Sequence, residues 1–215
     1  MPLIFQKEID SSTTVAVWKI EEDNNFFISR LDLDLQEKAA LDLMRDHRKR
    51  EWLSSRYLLH ILCPSEQRFL ISKDLDGKPT LSNNGIHISI SHSQKKVAVI
   101  RSSNPVGVDI QREEIKIGRI QHKFIADHEH QTIDQEHVLE SYHLFWGAKE
   151  CMYKAYGKRA LEFRDHMHLY PFKYYQEQLE LEGWVRKENC SQDYKIFCEK
   201  LEDYYLTVAV LYNEY

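Results

Sequence analysis

Two carboxylate residues of this sequence could together hold a hard cation. Asp109 is the one charged residue of a predicted strand at residues 106–111, and Glu150 lies on the flank of a predicted helix further along the chain. Mg²⁺ prefers oxygen ligands and commonly binds one or two protein carboxylates together with substrate phosphates. A strand carrying Asp109 beside a helix carrying Glu150 would suit this ion. Taken alone, Asp109 is more typical of a satisfied polar residue on the edge or outer face of a sheet.

Glu150 and Lys154 are four residues apart, and Trp146 lies one turn before them. At about 100° per residue, Glu150 lies about 140° and Lys154 about 180° from Phe145, a residue of the apolar stripe. Glu150 and Lys154 therefore lie outside the stripe, on a flank that they share with Trp146. By itself, the spacing is also that of an exposed Glu–Lys pair, which stabilises a helix by about 0.2–0.5 kcal/mol.

Polar side chains that could bind phosphate oxygens end a predicted strand. Ser91, His92 and Ser93 offer hydroxyl and imidazole groups there. A serine nucleophile activated by the histidine is less favoured, because adjacent strand residues point to opposite faces. The sequence also lacks the G-x-S-x-G elbow of many serine hydrolases.

The composition limits how this protein could bind a phosphate or a nucleotide. Only 7 of its 215 residues are glycine, and no G-x-G-x-x-G or G-x-x-x-x-G-K-[ST] segment is present, so side chains must bind any phosphate. A net charge of −5 argues against unspecific binding to nucleic acid but permits a local basic patch. The basic run at residues 48–50, followed by Arg56 and Lys78, could supply such a patch or be a solvated helix face.

The histidines raise the alternative of a zinc hydrolase, whose candidate ligands are His128, Glu129, His130, His137 and His143. Structural zinc sites usually draw on closely spaced pairs that include cysteine. The four cysteines form no C-x-x-C pair, so solvated histidines and free, buried thiols are expected. No apolar run approaches the ~20 residues of a membrane span, and the N-terminus lacks a signal-peptide pattern. The sequence therefore predicts a cytoplasmic protein without membrane or nucleic-acid partners.

Hydrophobic periodicity predicts an α+β protein. Strands are predicted at residues 13–20, 86–92, 97–100 and 106–111, a hairpin at 194–197 and 204–212, and helices at 35–63 and about 136–157. Residues 76–79 predict a turn, and Gly157 is expected to end the second helix in a left-handed conformation. A helix followed by strands occurs twice, so the chain is divided into residues 1–103 and 104–215.

Strand alternation orients the residues of segment 106–111. Val106, Val108 and Ile110 lie on one face, whereas Asp109 and Gln111 lie on the other. Asp109 and Gln111 are therefore expected to face the same neighbouring element.

Four motifs in a fixed order resemble the 4′-phosphopantetheinyl transferase superfamily. They are Lys78-Pro79, the Ser-His-Ser of residues 91–93, the G-V-D-I of residues 107–110 and the W-G-A-K-E-C-M-Y-K-A of residues 146–155. The chain is most similar to the larger, Sfp-type branch, whose single chain holds two similar halves. This resemblance implies an α+β fold with two halves related by a pseudo-two-fold, each a small sheet packed with helices, and an active site between them.

The resemblance implies transfer of the 4′-phosphopantetheine arm of coenzyme A to a serine of an apo acyl or peptidyl carrier protein, with release of 3′,5′-ADP. Asp109 and Glu150 would hold Mg²⁺, or Mn²⁺ in its place. Glu150, directly or through a water, would deprotonate the serine. Lys154 would bind the pyrophosphate and neutralise or protonate the leaving group. The alternative is a catalytically degenerate relative that binds coenzyme A or a carrier without transfer.

The same resemblance implies which residues contact coenzyme A. His92 would bind the 3′-phosphate, and Pro79 would lie beside the adenine. The implied contacts are Arg56, Lys78, Pro79, Ser91, His92 and Lys154, with Lys49 and Arg50 as further candidates.

Gln111 departs from the family pattern, because many Sfp-type members carry glutamate at this position. Its amide oxygen could ligate the metal, or a water could take that place. Trp146 and Lys149 resemble packing and support residues of the catalytic helix, with Lys149 also near the phosphates.

Residues 113–135 are the predicted docking face for the carrier, since carriers of this system are acidic helical bundles. An ordinary amphipathic segment would have the same composition. The family analogy also predicts a monomer. The candidate docking residues are the basic Arg112, Lys116, Arg119 and Lys123 and the apolar Ile115, Ile117, Ile120 and Phe124.

Overall fold

The computed structural model describes residues 2–65, 68–81, 85–173, 178–188 and 190–212, which form two antiparallel sheets. The first sheet has the spatial order β1-β2-β6-β5-β4-β3. Its strands are β1 (Leu3–Asp10), β2 (Thr13–Lys19), β3 (Ile71–Lys73), β4 (Pro79–Leu81), β5 (His87–Ser93) and β6 (Lys96–Ser102). The second sheet has the order β7-β11-β10-β9-β8. Its strands are β7 (Val106–Arg112), β8 (Met167–Leu169), β9 (Gln178–Lys187), β10 (Cys190–Leu201) and β11 (Tyr204–Tyr212).

Five α-helices and three short 3-10 segments complete the described part of the chain. The helices are α1 (Asn24–Ile28), α2 (Leu35–Asp42), α3 (Asp46–Leu62), α4 (Val138–Tyr156) and α5 (Phe163–His166). The 3-10 segments are Ile115–Arg119, Gln121–Lys123 and Asp127–Thr132. None of the helices in these residues is long and apolar enough to cross a bilayer.

The two sheets repeat one topology. In the first half, β2 is followed by the long helix α3 and then by four strands, which lie in the order β2-β6-β5-β4-β3. In the second half, β7 is followed by the long helix α4 and four strands in the corresponding order β7-β11-β10-β9-β8. The predicted α+β class with two similar halves is thereby confirmed, and β1 is an addition to the first half.

Alternation along β7 divides its side chains between two cores, as predicted. Val106, Val108 and Ile110 join a buried cluster that also holds Val15 of β2 and Ile100 of β6, so it fills the space between the sheets. The opposite face of the second sheet packs against α4, and that of the first sheet packs against α1, α2 and α3. The order of layers is therefore helix, sheet, sheet, helix.

The prediction of one helix over residues 35–63 is wrong, because the chain breaks between α2 and α3. Arg45 before α3 is extended, with ψ of 151°, and Leu43 is 90% exposed. Leu41 and Leu53, which are both buried, would lie about 120° apart on a continuous helix. The break lets each helix turn its own apolar side toward the first sheet.

All four cysteines are free, and Cys63, Cys151 and Cys198 are buried. The prediction of free thiols is confirmed, whereas the predicted burial is wrong for Cys190, which is half-buried. Cys151 lies on α4 with its Sγ donating to the carbonyl of Thr207 at 3.0 Å, so its thiol helps to join α4 to β11.

Candidate active site

Asp109, Lys154 and Ser91 meet where β7, α4 and β5 converge. Lys154 Nζ donates to Asp109 Oδ1 at 2.8 Å, to the carbonyl of Val108 at 2.9 Å and to Ser91 Oγ at 3.2 Å. The Ser91 hydroxyl donates to the same Asp109 oxygen at 2.9 Å. Three elements from both halves of the chain thus hold one buried carboxylate oxygen.

The charge of Asp109 keeps Lys154 protonated. Burial by itself would lower the pKa of Lys154, but the nearby carboxylate of Asp109 is the largest opposing influence, and the net pKa is raised. Lys154 therefore presents a full positive charge at the junction of the two halves.

The close contact between β7 and α4 depends on Gly107. A Cβ atom added at this position would lie 1.9 Å from the carbonyl oxygen of Cys151 and 3.0 Å from the amide nitrogen of Ala155. Only a residue without a side chain allows the strand and helix backbones to approach this closely. The G-V-D-I motif thereby brings Asp109 against the turn of α4 that carries Lys154.

Glu150 lies one turn before Lys154 and is half-buried. Among the described residues, none forms a hydrogen bond or an ion pair with its carboxylate. Burial raises the pKa of Glu150, the charge of Lys154 lowers it and the charge of Asp109 raises it, with a net shift upward. The Glu150 carboxylate is therefore available to bind a ligand, and the negative charge of Asp109 raises its pKa.

The two carboxylates fit a hard divalent cation. Within the described ranges, hydrogen-bond donors reach only Oδ1 of Asp109, which leaves Oδ2 and the carboxylate of Glu150 available as oxygen ligands. The described residues contain no cluster of three or more His, Cys, Asp or Glu side chains that could hold a metal. The pair of carboxylates from Asp109 and Glu150 suits Mg²⁺, which usually keeps several waters and takes further oxygens from substrate phosphates.

Gln111 faces α4, as strand alternation predicts, but both ends of its amide group are engaged there. Its Nε2 donates to the carbonyl of His143 at 2.9 Å, and its Oε1 lies 2.9 Å from His143 Nδ1. The backbone N–H of Glu114 donates to His143 Nε2 at 3.0 Å, so Nδ1 carries the proton and donates to Gln111. Burial lowers the pKa of His143, which is consistent with this neutral ring.

Three alternate serines of β5 bind the β7 strand. Ser89 Oγ accepts from the N–H of Val108 at 3.1 Å, and Ser93 Oγ accepts from the N–H of Arg112 at 3.2 Å. Ser91, between them, binds Asp109. The sequence signal for this contact is the serine alternation of residues 89–93, whose role in joining the halves was not predicted.

A cleft of about 240 Å³ lies between the turn before β4 and the C-terminal end of α4. Its apolar lining includes Pro79, Ile90 and Tyr153. Four basic residues also line it, and two of them, Lys158 and Arg159, were not among the predicted site residues. The basic set is Lys78, Lys154, Lys158 and Arg159.

Lys78 fixes the turn before β4 to the end of α4. Its Nζ donates to the carbonyl of Ala155 at 2.7 Å, where the negative end of the helix dipole favours a cation. Gly157 ends the helix in the predicted left-handed conformation, with φ of +72°. A Cβ atom there would lie 2.6 Å from Lys78 Cδ. Burial lowers the pKa of Lys78, although the charge of Asp74 opposes this shift.

His92 lies on the exposed side of β5. It contacts α3, whereas the neighbouring Ser91 contacts Asp109 and Lys154. Its Nδ1 is 3.5 Å from Glu51 Oε1, and its Nε2 is 3.4 Å from Nη1 of Arg48. Arg48 belongs to the basic run but is not among the coenzyme A contacts that the resemblance implies. The structure therefore separates His92 from the Asp109–Lys154 group.

Arg56, Lys49 and Arg50 do not line the cleft. The Arg56 guanidinium lies 3.4 Å from the centre of the Trp52 ring and 3.7 Å from Glu37, and burial lowers its pKa to about 10. Arg50 pairs with Asp46 at 2.9 Å. Lys49 lies beside Arg50 and is half-buried. These residues lie on α3, away from the junction of β7 and α4.

Lys149 is fully buried and cannot reach a phosphate in the cleft. Its Nζ donates to Glu129 Oε2 and to the carbonyl of Phe124, each at 2.6 Å, and to the carbonyl of Phe163 at 3.2 Å. The expected position near the phosphates is wrong, because all three ammonium protons are used in the core. The supporting role of Lys149 is confirmed, as is that of Trp146, whose ring packs against Phe124.

The predicted docking segment is less apolar at its surface than the sequence indicates. Ile117 and Phe124 are buried in the core around α4, and Ile120 is half-buried. Ile115 is 86% exposed, and Lys116 and Arg119 are exposed beside it. The 3-10 conformation changes the residue spacing on which a helical face would depend.

Residues 105–209 match the family model of the 4′-phosphopantetheinyl transferase superfamily. A curated protein of Aneurinibacillus migulanus, the 4′-phosphopantetheinyl transferase gsp, is 36% identical over 112 residues, which cover 50% of this chain and 46% of the relative. The match thus spans about half the length of that curated relative. The family match contains β7 with Asp109 and α4 with Glu150 and Lys154.

Proposed function

We propose that this chain, whose residues 105–209 match the 4′-phosphopantetheinyl transferase superfamily, transfers the 4′-phosphopantetheine arm of coenzyme A to a serine of an apo acyl or peptidyl carrier protein. The observation that carries this proposal is the meeting of Asp109 with Lys154, one helical turn from the available carboxylate of Glu150. These three residues supply oxygen ligands for a metal, a general base and the positively charged ammonium group of Lys154 at one place.

The transfer forms a bond from the carrier serine oxygen to the phosphorus of the arm, while the bond from that phosphorus to the bridging pyrophosphate oxygen breaks. Glu150 accepts the serine proton, directly or through a water, and its raised pKa brings it closer to the range of an effective general base. Lys154 binds the pyrophosphate and compensates the charge that develops on departing 3′,5′-ADP.

Asp109 and Glu150 would hold Mg²⁺, or Mn²⁺ in its place. When bound, the cation neutralises charge on the pyrophosphate oxygens and orients them. Ser91 and Lys154 fix the Asp109 carboxylate through its other oxygen, so the orientation of Asp109 does not depend on the cation. Gln111 is assigned no ligand role here, because its amide is bound to His143.

Coenzyme A would lie in the cleft between Pro79 and the end of α4, with the phosphates toward Lys154. Lys158 and Arg159 add positive charge at the same cleft. The 3′-phosphate would reach His92 and Arg48 across β5. The carrier would approach from the groove lined by Arg112, Lys116 and Trp146, beside the exposed Ile115.

The direct test is to incubate the protein with coenzyme A, Mg²⁺ and apo carrier proteins of fatty-acid, polyketide and peptide-synthetase type. Mass spectrometry should detect a gain equal to one phosphopantetheine arm on at least one carrier. Glu150→Gln and Asp109→Ala should each abolish this gain. Glu140→Gln, which alters a carboxylate near the start of the same helix, should retain it.

Two results would contradict the proposal. Transfer by Glu150→Gln at the unaltered rate would remove Glu150 from the reaction. Binding of coenzyme A without a mass gain on any carrier would indicate the degenerate binding module instead.

A further inference from the structure

A second charged cluster lies on the face of β5 opposite to Ser91. Its members are Arg48 and Glu51 of α3 and His92 of β5. Arg48 Nη1 donates to Glu51 Oε2 at 3.0 Å, and His92 Nδ1 lies 3.5 Å from Glu51 Oε1. Arg48 Nη1 also lies 3.4 Å from His92 Nε2. The proposed phosphoryl transfer uses none of these groups as acid, base or metal ligand.

The three side chains differ in exposure as the parts of an occupied anion site would, with the carboxylate in the place of the bound anion. The side chains of Arg48 and His92 are 58% and 41% exposed, whereas that of Glu51 is 16% exposed. The carboxylate thus lies between two donors that solvent can reach. Guanidinium groups bind carboxylate and phosphate oxygens with the same geometry, so Glu51 takes the contacts that a phosphate would take.

We propose that Glu51 acts as an internal anion that competes with the 3′-phosphate of the bound nucleotide for Arg48 and His92, and so limits the preference for the 3′-phosphorylated ligand. The inference rests on the proposed function, in which His92 meets the 3′-phosphate. Glu51 would be a specificity-determining residue and not a catalytic one.

Two effects of the Glu51 carboxylate act in the same direction. It occupies donors that the phosphate needs, and its negative charge repels a phosphate monoester that carries between one and two charges. Both effects vanish for a ligand without the 3′-phosphate. The cluster is partly exposed, so solvent screening keeps the effect moderate.

The test compares the affinities of coenzyme A and 3′-dephospho-coenzyme A, measured by calorimetry on the full chain. In Glu51→Gln, which keeps the shape and removes the charge, coenzyme A should bind roughly twofold to fivefold more tightly, because exposed charge pairs are worth at most about fivefold in affinity. Binding of the dephospho ligand should not change. Asp46→Asn is the matched control, since it removes one carboxylate charge from the same helix at the Arg50 pair.

Three results would overturn the role of Glu51. They are an unchanged preference in Glu51→Gln, an equal gain for both ligands, and a weaker binding of coenzyme A. The last result would mean that Glu51 preorganises its neighbours. A gain of the same size in Asp46→Asn would assign the effect to net charge and also overturn it.

The experiment separates this inference from the function on which it rests. If the unaltered protein binds neither ligand, the proposed function fails. If it binds coenzyme A and transfers the arm while Glu51→Gln leaves the preference unchanged, only the role of Glu51 fails. If the melting curve shows that Glu51→Gln does not fold, Glu51→Ser, which removes the same charge, is used as the test variant in its place.

Discussion

Gln111 and His143 are joined by two hydrogen bonds that run in opposite directions between β7 and α4. The Gln111 amide donates to the His143 carbonyl, and the His143 ring donates to the Gln111 oxygen. The N–H of Glu114 completes the set by donating to the other ring nitrogen. Strand β7, helix α4 and the residue that precedes the first 3-10 segment are thus joined at one point, and Gln111 serves there as a structural contact.

Replacing Gln111 with alanine should lower stability more than activity. The variant loses both hydrogen bonds and leaves buried groups of His143 unpaired, which costs about 1–3 kcal/mol. Phosphopantetheine transfer and Mn²⁺ affinity should be largely retained below the melting temperature. Denaturant unfolding, a transfer assay and Mn²⁺ titration measure the three quantities. Near-complete loss of transfer in the folded variant would instead make Gln111 a metal ligand.

Breaking the Lys149–Glu129 pair should be among the most destabilising changes in the second half. Both side chains are almost fully buried, and Lys149→Met leaves the Glu129 carboxylate with two backbone N–H donors but without its ion-pair partner, at a cost of about 3–5 kcal/mol. Combining Lys149→Met with Glu129→Gln should recover part of that loss, because no buried charge then remains. Chemical denaturation of the unaltered protein, the two single variants and the double variant gives the free energies of unfolding for a double-mutant cycle. Strictly additive losses would show that the two residues are not coupled.

The ligand-free protein should lose stability through Glu150 as the pH rises. The pKa of Glu150 is raised above the ordinary value of 4.5, so the folded state binds the proton more tightly than the unfolded state. The stability contributed by the protonated form is present below pH 4.5 and is lost as the pH rises through the folded pKa. The melting temperature of Glu150→Gln should therefore exceed that of the unaltered protein by more at pH 7 than at pH 4.5. A difference that is constant over this interval would contradict the assignment.

Gly157→Ala should weaken coenzyme A binding, whereas Gly85→Ala should not. Both glycines have positive φ, at +72° and +60°, and alanine in that region costs roughly 1–2 kcal/mol at either site. Only at Gly157 would the added Cβ meet Lys78, at 2.6 Å from its Cδ, whereas at Gly85 no atom of the described residues, its chain neighbours aside, lies within 4 Å of that position. Calorimetry with coenzyme A and denaturant unfolding check both effects. Equal affinities in the two variants would show that Lys78 does not contact the ligand.

Charge reversal at Lys116 and Arg119 should raise KM for the carrier and leave the affinity for coenzyme A unchanged. Both side chains are exposed in the 3-10 segment next to the groove, where an acidic carrier surface would meet them. Lys38→Glu combined with Lys73→Glu changes the net charge equally at exposed sites of the first half and serves as the control. Unaltered carrier kinetics in the Lys116 and Arg119 variant would place the docking surface elsewhere.

The sequence predicts the second half of the site better than the first, for a physical reason. Asp109 on β7 and Lys154 on α4 are placed by local periodicity, because strand alternation and helical spacing each fix a side-chain direction. Their contact then needs only that the two elements pack together, which Gly107 permits.

The roles of His92, Arg56 and Lys149 could not be predicted in this way. Each depends on a residue that is distant in the sequence: His92 on Glu51, Arg56 on Glu37 and Lys149 on Glu129. Local periodicity carries no information about these partners. A basic residue that binds a ligand and one that pairs with a distant carboxylate therefore look alike in the sequence. The break between α2 and α3 is not visible in the sequence either, because apolar residues recur at helical spacing on both sides of it.

The serines of β5 make the site depend on how the two halves of the chain are connected. Ser91 belongs to the first half and orients Asp109 of the second, while β6 and β7 are joined by only three intervening residues, 103–105. So short a tether makes the docking of the two halves a local event with a small loss of chain entropy. Severing it would convert the assembly of the site into a bimolecular association whose extent depends on concentration. The segment that matches the family would then lack Ser89, Ser91 and Ser93, and with them the hydroxyl that holds its own aspartate.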